Sequence, residues 1–245
     1  MFSIFRKFFN PADTEIHPLV DLHSHLLPGI DDGVKSINES LEILKEYEKT
    51  GFKKVITTPH IHQDYYPNTP QIIRDKLQEV QNFAKKNGLT IEFEAAAEYY
   101  LDEWFLKELH SGNEFLTIGQ DKLLVETSFN IQPVNLLEII FTIRSKGYKP
   151  ILAHPERYTY LFEDWDLVVK LKQAGVYFQL NINSLGGFYG SGPKIMAKKL
   201  IDKKLIDFVG SDCHRMRHFE SMMTTMRKSR YWIKVMALPL KNHEL

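Results

Sequence analysis

The stretch Asp21-Leu22-His23-Ser24-His25-Leu26-Leu27-Pro28-Gly29-Ile30-Asp31-Asp32-Gly33 decides how the rest of the chain reads. Residues 17–25 predict a strand that ends on the histidine pair. Alternate strand residues face the same side, so His23 and His25 present both imidazoles together, a natural chelating pair. A lone histidine at a strand end is more often a hydrogen-bonded structural residue than a ligand. The pair therefore gains meaning only from what stands at the other strand ends.

Six further runs predict strands, over residues 53–60, 90–99, 122–128, 149–154, 176–182 and 207–212. Between them lie helical patterns over 36–50, 71–87, 133–146, 166–174, 193–204 and 218–230, with a further short helix and loop over 102–114. Ser36 stands before Glu39 at capping-box spacing. Gly51, Gly88, Gly147 and Gly175 each sit where a helix should end. Strand–helix alternation implies an α/β fold with a parallel sheet, and right-handed crossovers put every strand C-terminus at one end. About seven units approaches a barrel. The expected fold is thus a distorted seven-stranded (β/α)7 TIM-like barrel over residues 17–245, after an N-terminal tail of residues 1–16.

That shared end collects ligand-type groups. Thr58-Pro59-His60, Ala97-Glu98, Val125-Glu126, Ala153-His154-Pro155-Glu156-Arg157 and Gly210-Ser211-Asp212-Cys213-His214 close the second to fifth and the seventh strands. The sixth offers Asn181 and Asn183. Burying such groups without partners is costly, and mixed imidazole and carboxylate suits manganese, iron or zinc. There are more ligands than one ion needs, so two or three divalent ions are expected. Glu98 is placed to bridge two of them.

The chain has 245 residues, with 31 Lys+Arg and 31 Asp+Glu. Zero net charge gives no reason to expect a nucleic-acid-coating surface, although a local basic patch stays open. A single cysteine, Cys213, forbids an intramolecular disulfide and fits a reducing, cytoplasmic compartment. No apolar run spans a bilayer. The start Met1-Phe2-Ser3-Ile4-Phe5-Arg6-Lys7-Phe8-Phe9 is not a signal peptide. It reads as a packed or disordered tail, or as a short basic-aromatic segment giving weak peripheral membrane contact.

Taken in order, residues 21–33, Thr57-Thr58-Pro59-His60, Ala97-Glu98, Leu124-Val125-Glu126, Ala153-His154-Pro155-Glu156-Arg157-Tyr158 and Ser211-Asp212-Cys213-His214 resemble the polymerase-and-histidinol-phosphatase (PHP) superfamily. More narrowly they resemble the bacterial tyrosine-protein phosphatases of capsule and exopolysaccharide systems. The resemblance covers nearly the whole chain after Pro18 and implies a trinuclear metal centre. Carried over by position, its ligands are His23, His25, Asp32, His60, Glu98, Glu126, His154, Asp212 and His214, with Asp32 favoured over Asp31. Arg157 matches the phosphate-binding arginine, and Arg157, His60 and Asp212 are the catalytic candidates. The chain departs from some relatives at Ile61-His62-Gln63-Asp64-Tyr65-Tyr66-Pro67-Asn68, where they carry a basic pair. The resemblance also implies a partner, a phosphotyrosine protein of the tyrosine-autokinase type.

Cysteine-based phosphatase chemistry is excluded separately. It needs an arginine six positions after its cysteine, and Phe219 stands there. Asp21 reads either as a carboxylate orienting a ligand or as an ordinary strand-start residue. Tyr65, Tyr66, Phe188 and Tyr189 read either as an aromatic wall for a phosphotyrosine ring or as packing. Gly186-Gly187-Phe188-Tyr189-Gly190-Ser191-Gly192 is not a Walker loop and reads as a lid or plain turn. The rival functions are another PHP phosphoesterase, acting on histidinol phosphate or a nucleic-acid end, and a non-catalytic metal-binding module.

Overall fold

The structure is a computed structural model that describes residues 19–245. The predicted tail and the first residues of the predicted opening strand lie outside the described residues. The described strands are β1 (Val20–Asp21), β2 (Lys54–Thr57), β3 (His60–Ile61), β4 (Glu92–Ala95), β5 (Glu98–Tyr100), β6 (Lys122–Glu126), β7 (Lys149–Ala153), β8 (Tyr177–Asn181) and β9 (Phe208–Gly210). Most are short apolar runs with both faces covered, as parallel strands flanked by helices must be.

The helices are α1 (Ile37–Lys49), α2 (Pro70–Lys86), α3 (Glu103–Ser111), α4 (Leu136–Ser145), α5 (Tyr160–Glu163), α6 (Trp165–Gln173), α7 (Ile182–Gly186), α8 (Ser191–Asp202), α9 (Met216–Lys228) and α10 (Arg230–Met236). Ser36 caps α1, its Oγ accepting from Glu39 N at 3.3 Å. The Glu39 carboxylate accepts from Lys35 N at 2.8 Å, so the capping box closes one residue earlier than its usual form. The four glycines expected to end helices all lie at positive φ, where a Cβ would strain the chain. Helices α5, α7 and α10 were not expected; each is short and lacks a full apolar period.

Every strand pair is parallel. Regular pairing gives two open sheets, ordered β1-β2-β4 and β3-β5-β6-β7-β8-β9. The difference from seven strands has a local cause. The second and third expected strands each break, into β2 and β3 at Thr58-Pro59 and into β4 and β5 at Ala96-Ala97. Pro59 has no N–H for the ladder. Hydrogen bonding continues in the same register across both breaks, with Ala96 N donating to Thr57 O at 2.9 Å and Glu98 N to Pro59 O at 3.1 Å. A parallel bridge between Ser24 and Cys213 sets the chain after β1 against the chain after β9.

The core is divided. A large cluster packs helices on the outer faces of the strands. A small separate cluster draws Leu22, Ile56, Ala96, Leu124, Ile151 and Phe208 from six different stretches of extended chain. Polar side chains lie beyond the C-terminal ends of these strands, and it is there that the chemistry collects.

Candidate metal centre

His23 and His25 are held on both sides by backbone. Asp212 N donates to His23 O at 2.8 Å, His25 N to Cys213 O at 2.9 Å, and Thr58 N to Ser24 O at 2.6 Å. The turn of Asp31, Asp32 and Gly33 folds back against His25. A Cβ on Gly33 would stand 2.2 Å from His25 O, which restricts this position to glycine. Asp31 Oδ2 reaches His25 Nδ1 at 2.8 Å. Gln179 Oε1 of β8 reaches His23 Nδ1 at 2.9 Å. Each contact leaves the Nε2 atom of its histidine facing the cluster, the orientation that ligating histidines need.

All nine residues named from the sequence converge. They form four overlapping groups whose ligand-type atoms lie within 4.8 Å of one another. One group is His25, Asp32, His60 and His214; another is His23, His154 and Asp212. Glu98 joins His23 and His25 in a third and His60 and Glu126 in the fourth. Glu98 Oε2 lies 3.1 Å from His23 Nε2, 3.4 Å from His25 Nε2 and 3.4 Å from His60 Nδ1. Its other oxygen meets His154 Nε2 at 3.0 Å. Asp212 Oδ1 is 3.4 Å from the Nε2 atoms of both His23 and His25.

Divalent ions fit this donor set. His23 Nε2 and His25 Nε2 stand 3.3 Å apart, both directed at the same two carboxylates. Protons alone cannot serve so many converging nitrogens and oxygens, and His154 Nδ1 is buried with no hydrogen-bond partner among the described residues. Burial opposes charge on Glu98 and Asp212, yet the imidazoles around them hold both carboxyls well below their usual range. Burial likewise depresses His60, but the Glu126 and Glu98 carboxylates outweigh it and raise the imidazole to about 9. The cluster thus draws positive charge, and ions entering it would displace protons from histidine. His154 (φ 35°) and Asp212 (φ 52°) both hold left-handed backbone. Such strain costs of order 1–3 kcal/mol per residue and gathers at functional sites.

Beside the cluster opens a cavity of about 620 Å³. Arg157 enters it from the turn after β7. Arg157 Nη1 donates to Asp212 Oδ2 at 2.7 Å, and its guanidinium lies between the Phe129 ring at 4.4 Å and the Tyr189 ring at 4.1 Å. Tyr65, Tyr66 and Tyr189 line the cavity, whereas Phe188 packs against His218 and Tyr189 outside that lining. Phe129, Tyr100, Arg215 and Arg217 line it too and were not singled out from the sequence. Arg215 follows the ligand candidate His214 directly and Arg217 stands two residues further on, a signal that was open to reading.

Three smaller readings resolve. Asp21 accepts from Tyr47 Oη at 2.5 Å, Ser211 N at 3.0 Å and His23 N at 3.3 Å, so it ties backbone and orients no imidazole. The orienting groups are instead Asp31 and Gln179. The glycine-rich stretch is a turn between α7 and α8, with Gly187 and Gly190 at positive φ. Cys213 is fully buried, and burial pushes its thiol far above the usual range, which removes the thiolate a nucleophile requires.

A parallel α/β fold that closes its strands on clustered histidines and carboxylates defines a metal-binding class of protein. The chain belongs to the family described as "Capsular polysaccharide synthesis, CpsB/CapC", whose profile matches residues 19–235. Among its relatives, CapC of Staphylococcus aureus is 29% identical over 231 residues, covering 93% of this chain and 90% of CapC. The tyrosine-protein phosphatase YwqE of Bacillus subtilis is 28% identical over 200 residues, covering 81% of this chain and 78% of YwqE. A crystal structure from a study of YwqE and of Streptococcus pneumoniae CpsB, described as metal-dependent tyrosine phosphatases, superposes with a TM-score of 0.77 at 25% identity. That match covers 91% of this chain and 94% of the other.

Proposed function

We propose that this chain is a metal-dependent protein-tyrosine phosphatase that hydrolyses phosphotyrosine monoesters. The observation that carries the reading is the convergence of nine ligand-type side chains beside an arginine-bearing cavity lined with aromatic rings. His23, His25, Asp32, His60, Glu98, Glu126, His154, Asp212 and His214 would hold two or three divalent ions, with manganese the first choice. Bound there, such ions would supply Lewis-acid charge and a water acidified enough to act as nucleophile near neutral pH.

The protein's own groups do the rest. Arg157, fixed by Asp212 and by the two rings, offers a planar fork suited to bidentate contact with phosphoryl oxygens. Arg215 and Arg217 also line the cavity and add positive charge in a chain that lacks the basic pair after His60. Tyr65, Tyr66 and Tyr100 form an apolar wall for a phenyl ring. A phenol leaving group of pKa about 10 asks less of a general acid than an alkoxide would. His60 and Asp212, assigned a catalytic part, act first as ligands.

The same reading extends to fold and setting. The chain is a single PHP-type domain over residues 17–245, a distorted seven-stranded barrel whose broken strands count as one each. Its support is the Ser24–Cys213 bridge and the small strand-enclosed cluster. The chain acts in the cytoplasm on a tyrosine autokinase that controls polysaccharide assembly at the inner membrane; the family's description supports the polysaccharide setting. Among the described residues no helix is long and apolar enough to cross a membrane.

A substrate panel tests the activity. The metal-loaded protein should cleave phosphotyrosine peptides well ahead of histidinol phosphate or a terminal nucleic-acid phosphate. Cleavage of histidinol phosphate with phosphotyrosine peptides left intact would overturn the assignment.

A further inference from the structure

Zero net charge conceals an uneven distribution. Residues 191–234 carry 11 of the 31 basic side chains and only 4 of the 31 acidic ones. Part of this excess lines a second cavity of about 470 Å³, where Lys194, Lys198, Lys228 and Arg230 meet Thr224 and Thr225. Among the described residues no carboxylate lines it. Some lysines elsewhere on the described surface sit on acids, as Lys54 does on Glu92 and Glu94 and Lys149 on Asp121. Among the described residues none of the four cavity cations has an ion-pair partner, and Lys194 and Lys198 are half-buried. The neighbouring acid, Asp202, is already engaged by Lys234 at 2.7 Å and by the Tyr231 hydroxyl at 3.1 Å. Like charges gathered in a recess repel, and an anion seated among them relieves that cost.

Helix α9 connects this cavity to the metal centre. Arg217 lines the first cavity, and Thr224 and Lys228 line the second. At about 100° per residue, Arg217, Ser221, Thr224 and Lys228 fall within about 60° of one another on one helix face, while Glu220 flanks the stripe. From Arg217 to Lys228 the helix rises about 16 Å at 1.5 Å per residue. An extended polypeptide covers that span in about five residues at about 3.3 Å each.

We infer that the second cavity binds a phosphoryl group carried by the same polypeptide substrate, about five residues from the phosphotyrosine at the metal centre. The inference rests on the proposed phosphotyrosine chemistry. A recess with hydroxyl donors among its cations suits a discrete tetrahedral oxyanion better than a membrane surface or a nucleic-acid backbone, which need an extended basic face.

The test compares two peptides on the metal-loaded protein. One carries a single phosphotyrosine; the other adds a phosphoserine five residues away. The wild type should show a KM about tenfold lower for the second peptide, with kcat unchanged, since hydrogen bonds to charged groups contribute on that scale. The double variant Lys198→Glu/Lys228→Glu should lose this advantage while keeping wild-type turnover of the first peptide. If that variant does not fold, Lys198→Gln/Lys228→Gln carries the same expectation. Equal KM values in the wild type overturn the inference, as does a variant that retains the preference. Tighter binding to phosphatidylserine vesicles than to the doubly phosphorylated peptide, lost in the same variant, overturns it in favour of a membrane. Should neither peptide be turned over, the proposed function fails instead, and fluorescence anisotropy with the two peptides then decides the cavity alone. A preference for the doubly phosphorylated peptide that the variant abolishes supports it, and equal affinities sink it.

Discussion

Replacing Gln179 by alanine should weaken the metal centre without touching a ligand. Gln179 is fully buried and its Oε1 accepts from His23 Nδ1 at 2.9 Å and from His154 N at 3.3 Å. The first contact fixes the tautomer that points His23 Nε2 at Glu98 and Asp212. Losing such a contact typically weakens metal binding 10- to 100-fold, equivalent to about 1.4–2.8 kcal/mol. Loss of the second contact leaves the His154 amide buried and unpaired, which costs about 1–3 kcal/mol of folding stability. Equilibrium competition against a chelator, run well below the melting temperature, reads the metal affinity directly. Activity at saturating metal should remain near wild type, because the ligands themselves are intact. Unchanged metal affinity in Gln179→Ala would refute the reasoning, as would a collapse of kcat with every ion still bound.

Four shorter predictions accompany it. Gly33→Ala should lose metal and activity together, because its Cβ would meet His25 O at 2.2 Å and Asp31 Oδ1 at 2.8 Å; elemental analysis of the folded variant checks this. Arg157→Ala should slow phosphotyrosine hydrolysis by about 10²–10³-fold, the range for losing one preorganised charge-stabilising donor, while metal content stays near normal. Cys213→Ser should keep substantial activity, since the thiol is buried and protonated; abolished turnover in a folded, metal-loaded variant would reopen cysteine chemistry. Glu48 accepts from Thr90 N, the Thr90 hydroxyl and Ile91 N, and these bonds, opposed by burial, hold its carboxyl below the usual range. A depressed carboxyl contributes stability above its unfolded pKa and loses it as pH falls through the folded value, so thermal melts should show Glu48→Ala less stable than wild type near neutrality, with the gap closing in acid.

That ligand-type groups gather at one end of the fold was legible from chain logic, whereas the choice of these nine among them came from the family resemblance. Right-handed strand–helix units gather strand ends, and residues that are costly to bury alone stood at those ends. Helix starts at Ser36 and stops at the positive-φ glycines were legible for equally local reasons. The breaks within the second and third strands were not. The pairing keeps its register across Pro59, Thr57 with Ala95 and His60 with Glu98, and loses only the proline's missing donor; nothing at Ala96-Ala97 announces that interruption. Gln179 escaped because a buried amide in a strand looks ordinary until His23 is seen beside it. Phe129 escaped for the same reason, since only tertiary placement puts its ring over Arg157. Asp31 was weighed as the lesser of two adjacent acids. The structure divides their work: Asp32 joins His25, His60 and His214 in one ligand group, and Asp31 holds His25 Nδ1.

The most direct measurement of the central claim is the rate of phosphotyrosine-peptide hydrolysis followed through removal and return of metal. The purified protein should contain two or three divalent ions per chain, fall to background turnover when they are stripped, and recover when manganese is restored. Turnover that survives complete removal of those ions would contradict the account.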